Sequence, residues 1–195
     1  SNIKVDENKI ILLDEKLNDP QWTRFRKLLD KKEITKHYCN LNRALKQFSN
    51  VYKKKIIVSI HPNDDLELKK KYFSDFEVVQ YQTRENIYKA FIVLFFESTA
   101  IIDAILLKKR IATIISNAMD ENQIKAGLHW IKELGIEKIN IDDDIIVDAV
   151  NKNAFLLKLD KATKNYSNFI NSYIAVDGAN LGYEKIINTL KSRFF

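Results

Sequence analysis

Six short runs of β-branched, aliphatic and aromatic residues, separated by stretches of helical periodicity, limit what this chain can fold into. The runs are Ile10–Leu13, Ile56–Ile60, Phe76–Val79, Phe91–Phe96, Ile111–Ile115 and Ile136–Ile141. They lack strict apolar–polar alternation, as strands of a parallel sheet buried on both faces should. Between them, Tyr38, Leu41, Leu45 and Phe48 recur at three and four residues and mark one face of a helix. Ile101, Ile102, Ile105 and Leu106 make a second such stripe, and Ile124, Leu128, Ile131 and Leu134 a third. Strands alternating with helices in this order predict parallel pairing through right-handed crossovers.

Boundary residues agree with this reading. Ser98-Thr99 precedes an apolar helical run, where hydroxyl oxygens can meet unpaired amides. Gly135 follows Leu134 where a helix should end. From about Asn153 the strands stop, and two helices are expected, roughly Phe155–Val176 and Gly182–Ser192, joined near Asp177-Gly178. The expected architecture is α/β, a Rossmann-like parallel sheet of about six strands with helices on both faces. Residues 1–195 form a single domain in this reading, with 153–195 as its helical tail.

Composition narrows the function classes. Hydrophobic residues at 46% and charged residues at 30% describe a globular chain rather than a disordered one. Cys39 is the only cysteine, so no internal disulfide can form and a reducing, cytoplasmic setting is expected. Ser1 to Lys9 carries no apolar signal segment, and the longest apolar stretch, Ala90–Phe96, is too short to span a bilayer. The net charge of +6 comes from lysines scattered through the chain among acids, which suits a solvated surface better than a nucleic-acid stripe. At most a peripheral membrane association is expected. Met119, the only Met, is in mid-chain behind an opening Ser1, so an upstream segment of the natural protein is expected.

In such a sheet, ligands bind beyond the carboxyl ends of the strands, and four polar groups fall there. His61-Pro62-Asn63 follows the second run; Pro62 holds His61 extended, and the imidazole can donate to a phosphate or simply bond a nearby main-chain group. Ser98 and Thr99 open a helix, where they can cap it or join its amides around a phosphate. Asp14 and Glu15 end the first run, as ligand contacts or as solvated loop acids. Asp142-Asp143-Asp144 lacks the glycine turn and closing Glu of a calcium loop, so an acidic helix start is expected and no metal.

Other chemistry has no foothold. The four glycines all fall at or after Gly127, so neither a dinucleotide fingerprint nor a P-loop is present. No nucleophile elbow occurs, and Cys39 sits in an amphipathic helix. His37 and His129 lie in helical stretches without partners at metal-ligand spacing, and Tyr166, Phe169 and Tyr173 read as core.

The segment Lys55–Pro62 resembles the His-Pro motif of GT-B glycosyltransferases of bacterial surface carbohydrates, the sialyltransferases and polysialyltransferases among them. Val93–Ala104 is similar to their Ser-Ser or Ser-Thr motif, and Lys108–Ile115 to the strand that follows. UDP-N-acetylglucosamine 2-epimerases share the architecture, but glycines follow their serine where Thr99 and Ala100 stand here. The resemblance implies the donor-binding half of a GT-B fold, with an amino-terminal partner domain to complete it. It implies that His61, Pro62, Asn63, Ser98 and Thr99 hold the phosphate of a CMP- or UDP-linked sugar, with Asp103 near a ribose hydroxyl. The family's general base is an acid followed by Gly; Lys16 follows Asp14-Glu15, so no catalytic role carries over to them. The implied partners are a nucleotide-sugar and a carbohydrate acceptor, with no cofactor besides, at the cytoplasmic side of the membrane. The alternatives are a non-catalytic interaction domain of the same shape and a UDP-N-acetylglucosamine 2-epimerase-like protein.

Overall fold

A computed structural model describes residues 7–15, 17 and 28–174. All six expected strands form: β1 (Lys9–Leu13), β2 (Lys55–Ser59), β3 (Glu77–Val79), β4 (Ala90–Phe95), β5 (Ile111–Ile115) and β6 (Glu137–Asn140). They make one sheet in the order β3-β2-β1-β4-β5-β6, and every neighbouring pair is parallel. The chain winds outward from β1 in one direction and then, from β4, in the other. That is the doubly wound arrangement of a Rossmann sheet.

Burial on both faces explains the unbroken apolar runs. Ile10, Leu12, Ile56, Val58, Ile92 and Leu94 point to one layer, with Tyr38, Leu41, Leu45 and Phe48 of α1 (Lys31–Tyr52) and the end of α2 (Leu66–Tyr72). Ile11, Leu13, Ile57, Val93 and Phe95 point to the other, with α3 (Thr83–Tyr88), α4 (Ile101–Leu106) and α5 (Glu121–Leu134). α1 and α5 each begin with a capping box, Asp30 with Glu33 and Asp120 with Gln123, which satisfies amides that would otherwise lack partners. Gly135 ends α5 in the left-handed conformation, with φ 68°.

α6 (Lys152–Thr163) places Leu159 in the first layer and Ala162 in the second. A break at Lys164-Asn165 leads to α7 (Tyr166–Phe169) and a π-helical turn, Ile170–Ile174, so the first tail helix is not continuous as expected. Asn165 causes the turn to matter: its side-chain amide donates to Leu134 O at 3.1 Å and ties the break to the end of α5. Tyr166 and Phe169 are core, as expected; the side chain of Tyr173, Asp177-Gly178 and the helix expected over Gly182–Ser192 lie outside the described residues. No described helix is long and apolar enough to cross a membrane.

The third helical stripe faces differently from its sequence reading. Leu128 is 47% exposed, and the inward positions of α5 are Gln123, Gly127 and Leu134. Ile124 and Ile131 are half-buried against the core and Leu134 is buried, so Leu128 is the member of the stripe that turns to solvent, while Gly127 faces β5. A Cβ there would sit 3.5 Å from Thr113 Oγ1 and 3.7 Å from Ile115 Cγ2, ordinary contact distances. Gly127→Ala is therefore expected to raise stability by about 0.5–1 kcal/mol, through the entropy of the unfolded chain. A thermal melt showing a loss instead would mean that α5 packs still closer to β5.

Candidate functional site at the carboxyl edge

Parallel pairing brings the carboxyl ends of all six strands to one edge of the sheet. β1 lies between β2 and β4, so the residues after β2 and β4 flank its end at about 10 Å from each other by strand spacing. The crevice at this reversal of winding is where such folds take ligands.

His61-Pro62-Asn63-Asp64 forms a tight turn after β2, closed by the Asp64 amide donating to His61 O at 2.9 Å. The Asn63 amide donates to His61 Nδ1 at 3.1 Å. An amide can only donate, so Nδ1 is the acceptor and the neutral ring carries its proton on Nε2. Two residues absent from the sequence reading hold this turn. Gln80 Nε2 donates to Pro62 O at 2.9 Å and Asp64 O at 3.1 Å, and Tyr81 Oη donates to Pro62 O at 3.0 Å. Tyr81 does so from a left-handed backbone, φ 66°, with its side chain mostly exposed.

Across β1, Ser98 and Thr99 precede α4 but do not cap it. Ala100 occupies the cap position, and Ser98 Oγ instead accepts the Ala100 amide at 3.3 Å within the turn. Thr99 is exposed. Asp103, in the first turn of α4, accepts from Arg84 Nε at 2.9 Å.

Asp14 is not a solvated loop acid. It is buried, and its carboxylate receives the ammonium of Lys69, itself only 4% exposed, on α2. Lys69 also donates to Tyr38 Oη at 2.7 Å and to Glu15 O at 2.9 Å. Those three bonds use all three ammonium protons. Asp64 Oδ2, buried 3.4 Å away, gains the attraction but no hydrogen bond. Burial works against the charge on Lys69, but Asp14, Tyr38 and Asp64 outweigh it and hold the ammonium above its ordinary pKa. Burial, with Asp14 beside it, pushes the Tyr38 phenol up, so it stays neutral; its ring stacks on Tyr72 at 4.1 Å.

Glu15 links the two halves of the sheet. Its carbonyl is held by Lys69 on one side, and its carboxylate accepts from Gln123 Nε2 of α5 at 3.2 and 3.3 Å on the other. Next to it, His37 Nδ1 and Ser116 Oγ, at the end of β5, are 3.2 Å apart. The imidazole is 3% exposed and rests against Phe96 and Tyr38. Burial and the nearby Lys69 lower its pKa to about 4, so it is neutral at pH 7.

The acidic run is a loop, not a helix start; α6 opens at Lys152, eight residues beyond Asp144. Asp142 accepts from Asn40 Nδ2 at 2.7 Å and the Asn117 amide at 2.6 Å, and Asp144 pairs with Arg43. The run's charges thus fasten β6 to α1. Among the described residues no group of three His, Cys, Asp or Glu side chains could hold a metal ion. Among the described residues of this edge the buried cation is Lys69, and it has committed every proton it has.

No protein-family profile matches the sequence, and no curated protein matches it. Solved structures do share its chain course. The glycotransferase of kitacinnamycin aligns over 95% of this chain and 44% of its own, at 13% identity and TM-score 0.47. The spinosyn rhamnosyltransferase SpnG, complexed with spinosyn aglycone, aligns over 86% and 43%, at 6% and 0.47. A variant of Os79 from O. sativa, in complex with UDP, aligns over 86% and 41%, at 12% and 0.41. This chain spans less than half the length of each. At such identities no residue is matched through the alignment.

Proposed function

We propose that this chain is the nucleotide-sugar-binding half of a GT-B glycosyltransferase, acting in bacterial surface polysaccharide or lipooligosaccharide synthesis. The supporting observation is the placing of two motifs, His61-Pro62-Asn63 and Ser98-Thr99, on either side of the β1 end at the reversal of winding. The donor is CMP- or UDP-linked, and its phosphate lies between these motifs. His61 gives it the Nε2 proton, which the Asn63 amide has fixed on that nitrogen. Ser98 and Thr99 supply hydroxyls. Donors already oriented in this way stabilise the negative charge that grows on the leaving phosphate. No metal enters this scheme.

A second, amino-terminal domain supplies the carbohydrate-acceptor site and the base, and the enzyme works at the cytoplasmic face of the membrane. Because Lys69 has no proton left to give, the partner domain is the source of further cations for the phosphates. The same commitment of Lys69 favours a second reading, a non-catalytic domain that uses this edge for protein contact and binds no nucleotide. Asp103 bears on the choice little, since Arg84 already engages it.

His61→Ala separates the two readings. Losing one hydrogen bond to a charged phosphate costs about 1.5–3 kcal/mol, so nucleotide affinity is expected to fall roughly tenfold to a hundredfold. The exposed ring adds little to the core, and the melting temperature should barely move. Equal affinity in the variant would remove His61 from the site.

A further inference from the structure

The amino-terminal end of the domain, opposite the candidate site, collects a different chemistry. Val150 is 92% exposed and Leu157 69% exposed, so both aliphatic side chains stand in solvent at this end. On α6, Ala154, Leu157, Lys161 and Lys164 recur at three and four residues and are all exposed, so they form one outward stripe, with Lys158 beside it. The helix is anchored at both ends to strand starts. Tyr52 Oη donates to Lys152 O at 3.1 Å, and Arg110, just before β5, pairs with Asp160 at 2.7 Å.

These anchors put two more lysines at the same end. Lys53, next to Tyr52, and Lys108, two residues before Arg110, are both exposed and both left-handed, with φ 54° and 51°. Glycine is the residue that takes this conformation without cost, yet lysine stands at both junctions. Among the described residues neither of these lysines, nor Lys161 or Lys164, has a carboxylate partner. The acids nearby are turned to other work. Asp160 is held by Arg110, Glu137 by Lys158, and Asp148 accepts the amides of Val150 and Asn151.

We infer that this end of the domain docks on an anionic lipid membrane, with Val150 and Leu157 entering the headgroup layer and the surrounding lysines meeting lipid phosphates. Exposed aliphatic residues at the same end as lysines without carboxylate partners fit that surface on both counts, since each lysine near it adds attraction and each buried aliphatic group leaves water. A nucleic acid is fitted less well. The aromatic residues here do not stand out for base stacking: Phe91 lies under Lys54 and Arg110, and Tyr88 under Lys109. The inference rests on the membrane-face part of the proposed function and supplies its surface, but it uses none of the nucleotide site's residues, so vesicle binding and nucleotide binding fail separately.

The test is sedimentation with vesicles of phosphatidylcholine alone and of phosphatidylcholine mixed with phosphatidylglycerol, at low and high salt. The chain should bind only the mixed vesicles, and salt should release it. Lys161→Ala with Lys164→Ala should weaken binding about thirtyfold, given roughly 1 kcal/mol per lysine, and Val150→Ser with Leu157→Ser should weaken it about tenfold or more, since two buried aliphatic groups are lost. All four side chains are exposed, so the melting curves should match the original. No binding to mixed vesicles, or equal binding by the aliphatic double variant, overturns the inference. So does binding to RNA or heparin in preference to the mixed vesicles.

Discussion

Lys69→Met should lower the unfolding free energy by about 3–5 kcal/mol, the usual cost of removing one partner from a buried ion pair. The reason lies in the accounting of protons beneath the carboxyl edge. Asp14, the Tyr38 hydroxyl and the Glu15 carbonyl each take one proton from this ammonium, and Asp64 leans on its charge. Without Lys69, two buried carboxylates face each other with no cation between them. Urea denaturation at neutral pH measures the loss. Asp14→Asn should also destabilise, and the double variant should lose less than the two single losses together, because the first change already removes what the second would break. Strict additivity would show that the pair does not act as a unit. A loss below about 1 kcal/mol would place Lys69 with ordinary surface pairs.

The second large effect is expected from acid. The folded chain protonates His37 near pH 4, whereas an unfolded chain does so near its ordinary value of 6.5. Between those values the unfolded state holds the extra proton, so acid favours unfolding. Stability is therefore full above about pH 6.5 and declines as pH falls toward 4, by about 3 kcal/mol from this residue at roughly 1.4 kcal/mol per unit. His37→Gln keeps a polar group near Ser116 without a proton to gain. Its stability should fall less steeply over the same window, while carboxylates titrate alike in both proteins. Parallel curves for the two would show that the His37 ring is hydrated rather than sealed between Phe96 and Tyr38.

Such effects mark the boundary of what the sequence discloses. Strands β1, β2, β4 and β5 are legible because burial on both faces makes them nearly continuous apolar runs, with Ser59 and Thr113 as buried polar exceptions. The stripe on α1 is legible for the same reason, being fixed by packing against a single layer. Lys69 is not. It opens a run of three lysines, Lys69–Lys71, and only the distant Asp14 and Tyr38 decide which one turns inward. Asp14 was equally hidden, its partner being 55 residues away. Leu128 misleads because periodicity cannot tell which flank of a stripe the sheet covers, and here Gln123, Gly127 and Leu134 take the inward positions. Gln80 offers no signal at all until the turn it clamps has formed. The acid run at Asp142 has the look of a helix start in sequence, but its partners Asn40 and Arg43 come from the first helix and make it a loop anchor.

The account rests on the carboxyl edge receiving a nucleotide, and calorimetric titration of this chain with CMP, CDP, UDP and UDP-N-acetylglucosamine tests that most directly. Saturable binding of one nucleotide class, lost or much weakened in His61→Ala, is the expected result, and it would also name the base. A folded chain that gives no heat with any of the four would contradict the donor-half reading and leave the carboxyl edge as a surface for another protein.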